Sequence, residues 1–391
     1  LKIHTKAVHA GDRKKPGAHT PSTTPIHTAT SYFYDSMEQL DRVFGGEEQG
    51  YCYSRYDNPS AGALEELLCA LDSGAAALAC ASGMAALHTA IACALTDRRK
   101  SVLAANSMYA ATTSLLMNVF EPAGVNVRFV DICDLDAVRA AIAEEKPGCI
   151  LMEIISNPLL RVGPVDRIAE LAREAGAALV VDSTFGTPLL ARPLELGAHF
   201  SVHSLTKYLS GHGDVMGGAV ITDKDHGESL RTLGRTLGPV LGPFESYLTM
   251  RGIKTFPLRM ERQCANACRV AQYLSAHHRV ERVYFTGDPR HPDADTIRRL
   301  FPANLYGAMI SFEIRDAGRD EVFRFMDALK MIIRATSLGD VHTMALYPVM
   351  SSHRELSPKH RERMGIRENL VRLSVGIEAP EDIIADIEQA L

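Results

Sequence analysis

No two cysteines stand close enough to form a CxxC pair, no basic cluster runs beyond Arg98-Arg99-Lys100, and no internal repeat or low-complexity tract interrupts the 391 residues. Each absence removes a class of protein. The cysteines (Cys52, Cys69, Cys80, Cys93, Cys133, Cys149, Cys264 and Cys268) follow no regular spacing, so they are expected to be reduced core residues and not a disulfide framework. With 42 basic against 47 acidic residues the net charge is −5. Nucleic acid and anionic membrane are therefore not expected as main partners, and a small molecule is. The opening Leu1-Lys2-Ile3-His4 is polar and lacks the apolar run of a secretory leader, which predicts a cytoplasmic protein. One stretch without formal charge, Ser73 to Thr96, is long enough to span a bilayer. It is alanine-rich, broken by Ser82-Gly83, and carries His88 and Thr89, so a buried strand, a glycine turn and a buried helix describe it better, and no membrane partner is expected.

What is present is ordinary for a globular chain: 46% hydrophobic and 23% charged residues. At about 100 to 200 residues per domain the length suggests two or three domains. Residues 1–57 show little periodicity and are rich in Thr, Pro, His, Gly and Tyr, which predicts an extended N-terminal arm. From 58 to 255, short apolar runs alternate with helical periods, the pattern of a parallel α/β domain. Ala75–Cys80, Ser101–Ala105, Val125–Val130, Cys149–Ile155, Ala177–Val181, Phe200–His203 and Gly218–Ile221 each fit a buried strand. Helical spacing marks Asp134–Glu145 and Ile168–Ala175. Over 256–391 the style changes to a smaller α+β domain, with helices at Arg259–Ser275, Asp320–Leu329 and Glu381–Leu391 and strands at Met309–Ile314 and Asn369–Gly376.

Ligands of open parallel sheets collect at the carboxyl ends of the strands, and several of those ends here carry reactive groups. Ser82-Gly83-Met84 turns from strand to helix, where glycine lets backbone amides approach an anion such as phosphate. Asp182 ends an apolar strand, and a charge at that depth should face a cation. Lys207 lies 25 residues on, flanked by the hydroxyls of Ser204 and Thr206. A lysine so placed can form a Schiff base with an aldehyde cofactor, while an aspartate facing a pyridine nitrogen keeps the ring an electron sink. Pyridoxal phosphate (PLP) accounts for the joint pattern. His203 and His212 have no third ligand at suitable spacing, so no metal is expected.

On these residues and on longer segments the chain resembles the fold-type I PLP enzymes of cysteine and methionine metabolism. That family includes cystathionine γ-synthase, cystathionine lyases, methionine γ-lyase and the O-acyl-homoserine sulfhydrylases. The segments are Tyr53-Ser54-Arg55 with Asn58-Pro59, Ala81–Ala85, Val181–Thr184 with Thr187-Pro188, Ser201–Gly213, Met250–Thr255, Ser337–Asp340 and Val371–Gly376. The resemblance implies an α/β architecture with a mostly parallel sheet domain, a smaller α+β C-terminal domain and an extended N-terminal arm. It implies that Lys207 carries PLP, that Asp182 meets the pyridine nitrogen, and that Asn157 lies beside the phenolic oxygen. The phosphate would rest on the Ser82-Gly83-Met84 turn, with Ser204 and Thr206 and with Tyr53 and Arg55 of a neighbouring subunit. Tyr109 would stack on the ring and act as acid or base, and Arg372 with Ser337 would take the substrate's carboxylate. A homotetramer, a dimer of dimers with shared sites, is the implied assembly, and a small amino acid the implied substrate.

Three features bear on the reaction. Tyr109-Ala110-Ala111-Thr112 lacks the cysteine that methionine γ-lyases often show there, and Leu338-Gly339-Asp340-Val341-His342 lacks the glutamate common in members that process cystathionine. The Gly-Asp pair is instead similar to methionine lyases and some sulfhydrylases. The expectation is γ-elimination of a methionine-like or cystathionine-like amino acid to thiol, ammonia and 2-oxobutanoate. The alternative is γ-replacement of the sulfhydrylase or cystathionine γ-synthase type, and a catalytically silent binding module is a third reading, opposed by the intact Lys207, Asp182 and Tyr109.

Overall fold

The apolar runs of the first two thirds of the chain become the seven strands of one sheet in the computed structural model, which describes residues 1–12, 20–351, 354, 361 and 364–391. They are β1 (Ala76–Cys80), β2 (Ser101–Ala105), β3 (Asn126–Val130), β4 (Cys149–Glu153), β5 (Ala178–Asp182), β6 (Phe200–Ser204) and β7 (Gly218–Thr222). Their order across the sheet is β1-β7-β6-β5-β4-β2-β3. Helical crossovers make the neighbours from β3 to β6 parallel. Only turns lie between β6 and β7, so β7 runs back antiparallel to β6 and then pairs antiparallel with β1. One consequence matters for the site: β1, β5 and β6 all point their carboxyl ends to the same edge.

Helices cover the sheet, and β2, β4 and β7 are buried along their whole length, which is why their sequences read as unbroken apolar runs. Side-chain caps fix the helix starts. Ser82, Asn58 and Asp134 accept the first free amides of Gly83–Ala94, Pro59–Asp72 and Leu135–Glu145. The stretch from Ser73 to Thr96 divides into β1, a turn and a helix, and among the described residues no helix is long and apolar enough to cross a membrane.

A second sheet follows, ordered β10-β11-β12-β9-β8, from β8 (Val280–Tyr284), β9 (Met309–Ile314), β10 (Ile333–Arg334), β11 (Met344–Leu346) and β12 (Leu370–Ser374). The helix Phe256–Ala276 belongs to both halves of the molecule. Its Phe256, Met260 and Cys264 lie in the core of the first sheet, and its Ala267, Val270 and Leu274 lie in that of the second. The arm departs from the uniform extension expected: it contains the helices Ile3–His9 and Met37–Phe44, the first of which buries Ile3 and Ala7 in the large core. All eight cysteines are free.

Candidate active site

Lys207 follows β6 directly, and its Nζ donates to Ser337 Oγ at 3.0 Å. Ser337 comes from the second domain, so the bond spans the two sheets. The same loop receives a second contact, from Arg372 in the middle of β12. Arg372 donates from one guanidinium nitrogen to the Ser337 carbonyl (3.3 Å) and from the other to Asn157 Oδ1 (2.9 Å). Its Nε has no partner among the described residues. Sequence alone makes a strand-borne arginine an exposed one by default, yet β12 is buried on both faces and Arg372 is 2% exposed. Burial lowers the Arg372 pKa to about 10, with the Tyr208 and Tyr109 phenols acting in the opposite sense. Burial, and after it the Arg372 charge, lowers that of Lys207 to about 8.

Asp182 stands at the end of β5, where one carboxylate oxygen accepts the Thr184 amide at 2.9 Å. The sequence predicts a cation opposite it. Among the described residues its direct partners are the Thr184 groups, with the His203 ring acting at longer range; burial outweighs these and raises its pKa. His203 itself is fully buried and bonded to Asp72 at 3.0 Å and Ser201 at 3.3 Å, a structural role. His212 is taken by the Ser210 carbonyl. Among the described residues no group of three His, Cys, Asp or Glu side chains could hold a metal.

At the same edge, Ser82 caps the helix Gly83–Ala94 through the Ala85 amide, and no partner takes the Gly83 and Met84 amides among the described residues. Gly83 packs so closely on Ser204 that a Cβ there would lie 3.0 Å from Ser204 Cβ. On the other side Gly218 of β7 passes Ser82, where a Cβ would fall 2.2 Å from the Ser82 carbonyl oxygen. The turn is thus pinned from two directions with its amides free. Ser204 donates its amide to Thr184 Oγ1 at 2.9 Å. The Thr206 hydroxyl is occupied, donating to the Gly217 carbonyl and accepting the Gly217 amide.

Of the remaining expected residues, Tyr109 stands near enough for its phenol to act on Arg372, while Tyr53 and Arg55 lie apart. Tyr109 is 42% exposed, at the start of the helix Ala110–Leu115. Tyr53 is 45% exposed and bridges to Ser31 in the arm. The Arg55 guanidinium lies over the Tyr56 ring at 4.8 Å and donates to the Arg235 carbonyl. Within the chain, then, Tyr53 and Arg55 do not join the group around Gly83 and Ser204.

Two residues escaped the sequence reading. Glu153 ends β4 in register with Asp182, is buried, and accepts the Tyr109 amide at 2.6 Å. The signal was available: a carboxylate between Met152 and Ile154 is as anomalous as the one that marks Asp182. Arg259 is buried in the helix Phe256–Ala276 and donates to the carbonyls of Tyr208 (2.8 Å), Leu209 (3.1 Å) and Gly252 (2.9 Å), securing the loop that follows Lys207. A lone charge at a helical core spacing was its only mark.

These groups fit PLP. An amine of lowered proton affinity, a carboxylate on the neighbouring strand end, and a capped helix start with free amides beside a serine are what an aldehyde, a pyridine nitrogen and a phosphate require. Comparison with known proteins agrees. The model of the family described as Cys/Met metabolism PLP-dependent enzyme matches residues 4–391. An L-methionine gamma-lyase of Fusobacterium nucleatum subsp. polymorphum is 38% identical over 392 residues, covering 100% of this chain and 98% of that protein. An O-succinylhomoserine sulfhydrylase of Pseudomonas aeruginosa is also 38% identical, covering 99% and 94%. The crystal structure of cystathionine gamma synthase from Xanthomonas oryzae pv. oryzae, in complex with aminoacrylate and cysteine, superposes with a TM-score of 0.92 at 32% identity, covering 100% and 97%.

Proposed function

The chain belongs to the Cys/Met metabolism PLP-dependent enzyme family, and from that premise we propose that it removes the γ-substituent of a short sulfur amino acid or O-activated homoserine and replaces it with a small thiol. At the coarser level the reaction is a PLP-dependent elimination or replacement on a sulfur amino-acid substrate. Bound PLP supplies the electron sink that makes protons at Cα and Cβ removable.

In this reading each residue has a task. Lys207 would hold the cofactor covalently, and in the chain itself burial lowers the pKa of its free amine to about 8, so that the amine gives up its proton more readily than a surface lysine. Freed, Nζ takes the proton from the substrate Cα, and the Ser337 hydroxyl at 3.0 Å orients it. Arg372 clamps the substrate carboxylate with its planar fork, with Asn157 fixing the orientation. Tyr109 protonates the departing γ-heteroatom from the open side. Asp182 holds the pyridine nitrogen, and the Gly83 and Met84 amides with Ser204 hold the phosphate.

The observation that carries the choice of substrate is Asp340. It is 5% exposed, and its Oδ1 accepts both the His342 amide (3.2 Å) and, in the favourable tautomer, the His342 ring N–H (3.0 Å). The one carboxylate of this loop is engaged locally, which argues against a substrate with a distal ammonium such as cystathionine. Missing cysteine at Ala111 argues in the same way against a dedicated methionine lyase. Relatives named L-methionine gamma-lyase nevertheless favour elimination as a second reading. Feeding methionine alone, then O-acetylhomoserine with sulfide or methanethiol, separates the two. Replacement predicts a new sulfur amino acid in the second assay and little 2-oxobutanoate in the first, and the reverse result establishes elimination.

The same reading includes assembly. Phe33, Met37 and Phe44 of the arm are 92%, 74% and 59% exposed, apolar side chains that a neighbouring subunit would cover. A homotetramer of dimers, with Tyr53 and Arg55 lent across the dimer, would cover them.

A further inference from the structure

Glu153 is expensive where it stands. Met152 and Ile154 on either side are fully buried, Asp182 lies opposite in register, and both burial and that neighbouring charge raise the Glu153 pKa. An apolar residue would be the cheap occupant of this strand end. What the carboxyl holds explains its presence. Tyr109 has an exposed ring whose phenol makes no hydrogen bond among the described residues, so its placement depends on its backbone. The Tyr109 carbonyl accepts from Thr112 at 2.9 Å, inside its own short helix. Its amide instead leaves the helix and is received by Glu153 Oε1 at 2.6 Å, the contact that ties this tyrosine to the sheet. The Asn157 amide faces the same carboxyl, so one side chain reaches the backbone of two of the expected site residues.

We propose that Glu153 is a positioning residue: by clamping the Tyr109 amide at the end of β4, it sets where the Tyr109 ring stands over the cofactor. The proposal rests on the PLP reading of the site. It requires an acceptor at position 153 and no negative charge, so Glu153→Gln should serve and Glu153→Ala should not.

The test is a double-mutant cycle on the PLP-loaded enzyme, read by turnover and by the visible circular dichroism of the bound cofactor, which reports the asymmetry of its surroundings. Glu153→Ala should lower kcat roughly 10- to 100-fold, the scale of an ångström misplacement, with KM changed less, and should shrink the visible dichroic band. Glu153→Gln should recover most of both losses. In a Tyr109→Phe background, where the phenol is already gone, Glu153→Ala should cost markedly less than it does in the parent. Additive losses, or a Glu153→Gln enzyme as poor as Glu153→Ala, would overturn the positioning role while leaving the site intact. Parent protein with no cofactor band at all would overturn the underlying reading, and the proposal with it.

Discussion

Lys207 and Tyr53 belong to one expected site yet are held in opposite ways. Lys207 sits at one end of a chain of contacts: its amine on the Ser337 hydroxyl, the Ser337 carbonyl on Arg372, and Arg372 on Asn157, which is 215 residues away in sequence. Tyr53 has an exposed ring, and Arg55 beside it is satisfied by the Arg235 carbonyl and an aromatic face. A single chain therefore completes the floor of the site by its own folding, because strand ends from both domains deliver groups that need one another. The Tyr53 and Arg55 side chains, its expected rim, stay exposed and among the described residues make no contact with that floor, and under the proposed assembly a second subunit would bring them to it.

The most damaging way to probe that contrast is to remove the centre of the floor. Lys207→Ala should reduce turnover by roughly 10³-fold or more. In the parent enzyme, borohydride should fix a pyridoxyl group to this lysine, and mass spectrometry finding it on another lysine would break the floor as drawn. Arg372→Lys keeps the charge and loses the fork. Charge-assisted bonds of about 1.5 to 3 kcal/mol, at about 1.4 kcal/mol per tenfold, imply a fall in kcat/KM of at least roughly tenfold with PLP still bound. Unchanged kcat/KM for every amino-acid substrate would remove Arg372 from the site.

The rim is tested by complementation. An Arg55→Ala subunit mixed with a Lys207→Ala subunit should regain part of the lost activity, because a hybrid dimer carries one intact site. No recovery under verified subunit exchange would mean that each chain completes its own rim.

A smaller effect concerns acidity. In cofactor-free protein, Lys207 should acylate with a midpoint near pH 8, against the usual value near 10.5. Arg372 disfavours the ammonium, so Arg372→Met should move the midpoint upward, and a fixed midpoint would leave burial as the whole cause. The sign for stability follows. Between the folded and unfolded values the unfolded chain binds more protons, so this lysine makes folding more favourable as pH rises through that window. Least of all, Arg139→Ala, which breaks an exposed pair with Asp136, should change stability by no more than about 0.5 kcal/mol in a denaturant titration.

Legibility in the sequence follows the same division. Strands buried on both faces write themselves as apolar runs, so β2 and β9 were located to the residue and the rest of the first sheet and β12 to within one or two, whereas β8, β10 and β11 were not expected at all. The groups on their ends, Asp182 and Lys207, were visible because polar residues there break the run. Glu153 breaks a run as well, but its partner is a backbone amide 44 residues away, and no spacing encodes that. Of the two missed arm helices, Ile3–His9 is held by packing against the large core and has no side-chain cap, whereas Met37–Phe44 starts behind a Ser36 cap, a signal the sequence did offer. The helix Phe256–Ala276 reads as one periodic segment, and nothing in its pattern tells which half faces which core.

The place of β7 in the first sheet has a consequence for how the protein is made. In that sheet β1 has a single neighbour, β7, which the ribosome delivers roughly 140 residues later. At about 5 to 20 residues per second, the alanine-rich strand Ala76–Cys80 waits roughly 7 to 30 s with an unpaired edge. The Ser82-Gly83 turn, pinned by Gly218, acquires its final shape only after that interval. The nascent chain thus carries an adhesive strand and an unformed anion pocket together, and both are resolved by one late insertion.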